Sequence, residues 1–208
     1  MTTHVYIDGF NLYFGCLKGT PHRWLDLQAF SERLLPHDKV TKVRYFTALI
    51  SARPNDLGGP VRQQVYLRAL VTRPKIEIHL GSFLVNRVRM PLAKPPANGP
   101  ASVEVIKTEE KGSDVALGAH LLMDLVRGDC DTVVVISNDS DLAEPLRIAR
   151  HELEATVGVF NPHKHKGSAQ LRNHATFHKP VPTRYLARCQ LPQALADAHG
   201  VIRKPEAW

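Results

Sequence analysis

TVVVISNDSDLAEPLRIARHELEATVGVF, residues 132–160, reads as a strand, a helix and a second strand in one uninterrupted run. Thr132–Ser137 is a continuous β-branched stretch of the kind that is buried on both faces of a sheet. Leu142–His151 carries a helical pattern, and Thr156–Phe160 is β-like again. A strand, a crossover helix and a further strand argue for an α/β fold with a mainly parallel sheet.

Working outward, the same alternation covers nearly the whole chain. His4–Ile7 reads as a strand, Leu25–Leu35 as a helix with Asp26 near its start, and Val40–Ile50 as a second strand. Pro60–Val71 is a helix opened by a proline, Ile76–Val85 a third strand and Asp114–Arg127 a helix. Helix signals return at Ser168–Asn173, with a short strand at Thr176–Val181 behind them. One segment interrupts the pattern. Arg87–Gly112 has two β-like pieces around the Pro/Gly-rich tip KPPANGP and reads as a hairpin-like arm, with a structureless loop as the alternative. The expected organisation is one domain over residues 1–180, with 87–112 as an arm or loop insertion. Residues 181–208 form a C-terminal extension that either packs on the domain or recruits a partner.

Length and composition suit a single domain of moderate size: 208 residues, 43% hydrophobic and 23% charged. No run approaches 18 apolar residues, and the N-terminus lacks a basic region followed by an apolar one. The expectation is a cytoplasmic protein without a membrane span or signal peptide. Three widely spaced cysteines, Cys16, Cys130 and Cys189, make neither a disulfide framework nor a metal knuckle. The net charge of +7 and pI near 9.5 fit a polyanionic partner.

Against this basic background the acids fall at particular places. Ligands in open α/β sheets bind outside the carboxyl ends of the strands. Asp8 ends the first strand in YIDGFNLY; Asp139 and Asp141 follow TVVVIS; Asp114 opens the helix that leads into that same strand. Singly, each is explained as a turn or cap residue. Together they offer more acids than caps require. Two unit charges about 5 Å apart repel by roughly 3 kcal/mol at an effective dielectric near 20, so such a cluster calls for a proton or a cation. Oxygen-only ligands suit Mg²⁺ or Mn²⁺ better than Zn²⁺, and such a centre serves phosphodiester hydrolysis. Asn11 is placed to orient a carboxylate or a water through its amide. Lys111 could pair with the acids or hold a phosphate, and Ser137 could donate to a carboxylate or water.

Three motifs, YIDGFNLY, EEKGSDVALGAHLL and VVVISNDSDLAEPL, occur in that order and resemble the NYN domain of the LabA/DUF88-like branch of the PIN-like nuclease superfamily. The resemblance spans roughly residues 4–160. It implies a Rossmann-like three-layer α/β/α sandwich and a metal-dependent ribonuclease, with Asp8, Asp114, Asp139 and Asp141 as the acidic metal site and Asn11 beside them. Glu109 or Glu110 could add a further acid. Asn138 stands where the family often has glycine, a change that the turn tolerates because asparagine accepts left-handed conformations.

RNA is the expected partner, with a homo-oligomer or a regulatory protein as further possibilities. Arg87 and Arg89 on the arm, with Lys94 and Lys107, could track a phosphate backbone. Lys164 and Lys166 in NPHKHKGS (161–168) could hold phosphates at a helix start. His163 and His165 lack the further ligands that zinc needs. Two alternatives stand beside the nuclease. One is a non-catalytic RNA- or protein-binding module that keeps the acids. The other is a phosphatase with Asp8 as nucleophile, a chemistry that wants a second acid two positions on, where this chain has Phe10.

Overall fold

The computed structural model describes residues 1–164 and 167–208. Five strands, β1 (Thr2–Asp8), β2 (Lys39–Ala48), β5 (Thr132–Ile136), β6 (Thr156–Asn161) and β7 (Phe177–Pro180), run parallel with the first part of β3 (Ile76–Pro91). β4 (Ser102–Lys111) pairs antiparallel with the outer part of β3, so residues 87–112 extend as a hairpin arm rather than a structureless loop. The seven-stranded order is β4-β3-β2-β1-β5-β6-β7. Successive strands step away from β1 first to one side and then to the other. The β1/β5 boundary is therefore the switch point, where the carboxyl ends open a crevice.

The alternation of side chains along the strands makes two cores. Val5 and Ile7 of β1 with Val134 and Ile136 of β5 face one layer, built with α2 (Leu27–Leu34) and α3 (Gly59–Leu70). Tyr6, Val133 and Val135 face the other, built with α4 (Ser113–Val126) and α5 (Ala143–His151). All five residues of β5 are buried, which is why TVVVI shows no polar alternation. Asp26 caps α2, its carboxylate accepting from the N–H groups of Gln28 and Ala29.

After Pro180 the chain continues through α7 (Thr183–Arg188) and a hairpin of β8 (Ala194–Asp197) and β9 (Gly200–Arg203). This segment packs on the domain: Trp24 Nε1 donates to the Pro192 carbonyl at 2.9 Å, and Ile202 joins the first core. Trp208 packs edge-on to Trp24 and Tyr66, with ring centroids 6.2 and 5.5 Å away. Among the described residues no helix is long and apolar enough to cross a membrane.

One buried charge ties the second layer to the sheet. Asp124, near the end of α4, is 1% exposed. It accepts from Arg44 Nε and Nη2, each at 2.8 Å, from Tyr6 Oη at 2.8 Å, and lies 3.0 Å from His4 Nδ1. Burial works against this carboxylate, but the hydrogen bonds from Arg44, Tyr6 and His4 outweigh it and hold its pKa well below the usual range. Removing the carboxylate leaves three buried side chains short of a hydrogen-bond partner, although Arg44 Nη1 also pairs with Glu77.

Asp124→Ala should therefore cost about 3–5 kcal/mol in urea unfolding, because Arg44 Nε and Nη2, Tyr6 Oη and His4 lose a buried partner, while Arg44 Nη1 keeps the half-exposed Glu77. A loss under about 1 kcal/mol would contradict the pairing. The carboxyl is depressed in the folded state, so its contribution is complete above its ordinary pKa of 3.8 and is lost as the pH falls further. The variant should accordingly show a shallower loss of stability below pH 4 than the unaltered protein.

Candidate metal centre

Asp8 ends β1 with extended backbone and caps a short helix, α1 (Gly9–Leu12), that continues as a π-helical turn through Leu17. Both of its carboxylate oxygens are fixed: the Asn11 N–H donates to Oδ1 and the Ser137 hydroxyl to Oδ2, each at 2.9 Å. Gly9 lets this turn close over β2, since a side chain there would meet the Phe46 carbonyl at 2.7 Å and the Tyr45 ring at 2.8 Å. Ser137, at the end of β5, also accepts from the Asp139 N–H at 3.0 Å. Asp139 in turn caps the single 3₁₀ turn Ser140–Leu142, accepting from the Asp141 N–H at 3.1 Å. Asp114 lies in the first turn of α4, which the chain enters through Gly112 at φ +93°, a backbone conformation that favours glycine.

These elements bring a carboxylate oxygen from each of Asp8, Asp114 and Asp139 within 4.8 Å of one another. Among the described residues it is the one group with metal-ligand geometry. Asp8 is buried and the other two are half-buried. At that spacing each pair of charges repels by about 3 kcal/mol. The electrostatics show the strain. Burial, and then the charges of Asp8, Asp139, Glu110 and Asp141, push the Asp114 carboxyl up to about 6. Burial also raises Asp8, with hydrogen bonds from Asn11 and Ser137 opposing it and the charges of Asp139 and Glu110 adding to it. A set of three hard carboxylate oxygens within 4.8 Å of one another could hold a divalent cation.

Asp141 is the exception among the four acids. It is exposed and outside the group of three, and it acts on Asp114 only through its charge. The 3₁₀ turn explains this: it starts directly after Asp139 and carries Asp141 outward instead of leaving both side chains on one side. Asn11 works through its backbone on Asp8, not through its amide. Its Oδ1 accepts from the Asn138 N–H at 3.0 Å and lies 2.9 Å from His163 Nε2. Asn138 is not left-handed, since Glu154 alone among the non-glycine described residues has positive φ. Its side chain accepts instead from the Ser168 N–H at 2.7 Å, a bond that glycine could not make.

The arm's base separates the two glutamates: Glu110 lies near the three acids without joining their group, and Glu109 does not. Glu110 pairs across the hairpin with Phe83, its Oε1 accepts from the Ser113 N–H at 3.3 Å, and its charge reaches Asp8 and Asp114. Glu109 faces the other way and bonds Lys107 at 2.6 Å. Lys111 lies 3.5 Å from Glu109 and so pairs with it rather than with the clustered acids. Arg87 and Arg89 are exposed on the arm, opposite Ile106 and Glu104. Lys164 is exposed and lines a neighbouring cavity, while Lys166 and His165 lie outside the described residues. The helix after NPHKHKGS, α6 (Ala169–His174), has six residues, and Ser168 caps its start through Leu171. It is too short to present a phosphate site of its own.

Sequence reasoning missed the ties from Asn138 to Ser168 and from Asn11 to His163, because each joins loops distant along the chain. The choice between Glu109 and Glu110 needed the register of β4, which Lys111-Gly112 at its end fixes only once its pairing with Ser82 is known.

Asp114's carboxyl rises from its ordinary 3.8 to about 6 on folding, so the cation-free fold loses stability as the pH climbs through that window. In EDTA at pH 8, Asp114→Asn should therefore unfold at a higher temperature than the unaltered protein. Mn²⁺ at about 100 times its Kd should add about 2.7 kcal/mol to the unaltered protein and much less to the variant. Equal responses to Mn²⁺ would remove Asp114 from the ligand set.

Comparison with known proteins sets this geometry in a family. The NYN domain model matches residues 2–181. A Pseudomonas putida (strain DSM 28022 / S16) protein, 6-hydroxy-3-succinoylpyridine 3-monooxygenase HspA, is 30% identical over an alignment of 236 residues, which covers all of this chain and 75% of that protein. A crystal structure of VPA0982, a Vibrio parahaemolyticus protein of unknown function, shares the fold with a TM-score of 0.54 at 15% identity, covering 87% of this chain and 93% of that one. A match that runs from the first strand through the last strand of the central sheet shows that the chain belongs to the NYN domain family.

Proposed function

We propose that the protein is a ribonuclease that depends on Mg²⁺ or Mn²⁺ and hydrolyses RNA phosphodiester bonds at the acid cluster. The observation that carries this reading is the convergence of Asp8, Asp114 and Asp139 within 4.8 Å at the carboxyl edge of a parallel sheet. Those three side chains would hold the cation, which supplies Lewis-acid polarisation of a phosphoryl oxygen and a lowered pKa for a water. Ser137 and the Asn11 N–H keep the Asp8 carboxylate in one orientation. Asn11 Oδ1 holds the loop that carries Asp139. Asp114, whose carboxyl burial and the neighbouring acids raise in the cation-free cluster, would be held ionised by the cation. The net charge of +7 draws a polyanion toward the protein, and Arg87 and Arg89 offer its backbone two exposed cations.

A phosphatase that uses Asp8 as nucleophile fits poorly, because the residue two positions on is Phe10 and not the second acid that this chemistry wants. The P. putida relative favours a second reading, monooxygenation of a hydroxypyridine. That chemistry inserts one atom of O₂ and needs a two-electron donor. The cluster here consists of carboxylates, without the histidines of the usual non-haem iron triad.

Labelled single-stranded RNA should be cut with Mg²⁺ or Mn²⁺ and left intact in EDTA. Asp8→Asn should abolish cutting, and Ser137→Ala should reduce it by about 10–100-fold through a misoriented Asp8. Binding without cutting under every condition would move the assignment to a non-catalytic module. Oxygen uptake that requires 6-hydroxy-3-succinoylpyridine and a reduced nicotinamide would establish the second reading instead.

A further inference from the structure

A cavity of about 930 Å³ adjoins the acid cluster along the same edge of the sheet, beyond the ends of β6 and β7. The ionisable basic side chains of its lining are His22, His163, Lys164, Arg172, His178 and Arg184, beside the neutral Thr20, Asn161 and Thr183. No aspartate or glutamate lines it among the described residues. Pro162, Pro180 and Val181 give it an apolar wall. The volume falls in the usual range for a small-molecule site, and the mixture of flat apolar surface with cations suits a base joined to a phosphate.

The cavity and the acids share a wall. His163 lines the cavity, and its Nε2 lies 2.9 Å from Asn11 Oδ1; the Asn11 N–H in turn lies 2.9 Å from Asp8 Oδ1. Charge therefore changes sign across a single asparagine. The lining also holds an unsatisfied group. His178 Nε2 is shielded from solvent and has no hydrogen-bond partner among the described residues, a state that native proteins rarely leave unexplained. Burial, and then the charge of Arg172, lower the His178 pKa, which leaves a neutral ring that can donate or accept.

We propose that this cavity is a nucleotide subsite that receives the phosphate and base next to the bond cut at the acid cluster. This rests on the ribonuclease reading for its place in the reaction, but the binding chemistry stands on the cavity alone. Arg172, Arg184 and Lys164 meet the phosphate, His178 supplies one hydrogen bond, and the base lies on the proline wall. The occupant is a nucleotide phosphate, carried either by an RNA strand or by a free mononucleotide.

The test is fluorescence anisotropy of a short 3′-labelled RNA with the full chain in EDTA, where cutting does not interfere. It compares the unaltered protein with Arg172→Ala and Arg184→Ala, both at exposed positions, with thermal unfolding as the check that each variant folds. Each variant should bind about tenfold more weakly, as expected for loss of a charged hydrogen bond. Each should also flatten the log–log salt slope by about 0.7. AMP that competes with the RNA, with the competition weakened in the variants, assigns the cavity to a nucleotide that can also bind free. A variant defect without AMP competition assigns it to a phosphate within a strand. Unchanged affinity and slope in both variants would overturn the subsite. Should RNA remain uncut with every cation while the variants still bind weakly, the nuclease reading falls and the subsite survives. Cutting by a protein whose variants bind normally gives the reverse result.

Discussion

Three carboxylates within 4.8 Å of one another resist being brought together, and the surrounding architecture is arranged to hold them there. Each comes from a different element: Asp8 from the end of β1, Asp139 from the loop after β5, Asp114 from the first turn of α4. Because β1 and β5 are neighbours in a parallel sheet, their carboxyl ends are adjacent by topology alone. Hydrogen bonds then fix the details. Ser137 touches both Asp8 and the Asp139 backbone, so one hydroxyl links two of the three acids. Burial, and then the repulsion that remains, raise Asp114 and Asp8, which is the condition that a divalent cation relieves.

α4 joins this site to the rest of the fold. Asp114 sits at its start and Asp124 ten residues later, about 15 Å along the axis at the usual helical rise. Asp124 is locked to Arg44 of β2 and to His4 and Tyr6 of β1. The buried network thus sets the position of α4 across the central strands, and with it the position of Asp114. At the other end of the edge, His163 and Asn138 connect the acids to the loops around the cationic cavity. Acid cluster and cavity are two parts of one surface, separated by Asn11.

Much of this was legible in the sequence where a local pattern carried it. The β-branched run of β5, the alternation of strands and helices, and the placing of Asp8, Asp114 and Asp139 at strand or helix ends all follow from periodicity and capping rules. The arm's two strands were visible, but their pairing depends on a register that only the folded hairpin sets. Other features depend on contacts between distant segments and leave no local signature. Asp124 looks like an ordinary helical acid until Arg44 is seen beside it. Asn138 looks like a turn residue, yet its backbone is not left-handed and its amide bonds Ser168. The family resemblance implies both Asp139 and Asp141 at the acidic site, whereas the 3₁₀ turn brings only Asp139 into the group of three. In the C-terminal segment, prolines hide a hairpin whose burial relies on Trp24 and Tyr66 more than a hundred residues earlier.

A relative named as a monooxygenase beside a family match to the NYN domain makes the central question whether a cation binds at the three carboxylates. Anomalous diffraction from a crystal soaked in Mn²⁺ answers it most directly. The account predicts a strong peak in contact with Asp8, Asp114 and Asp139. A peak bound only by histidines elsewhere, or no peak at those three carboxylates under saturating Mn²⁺, would contradict it.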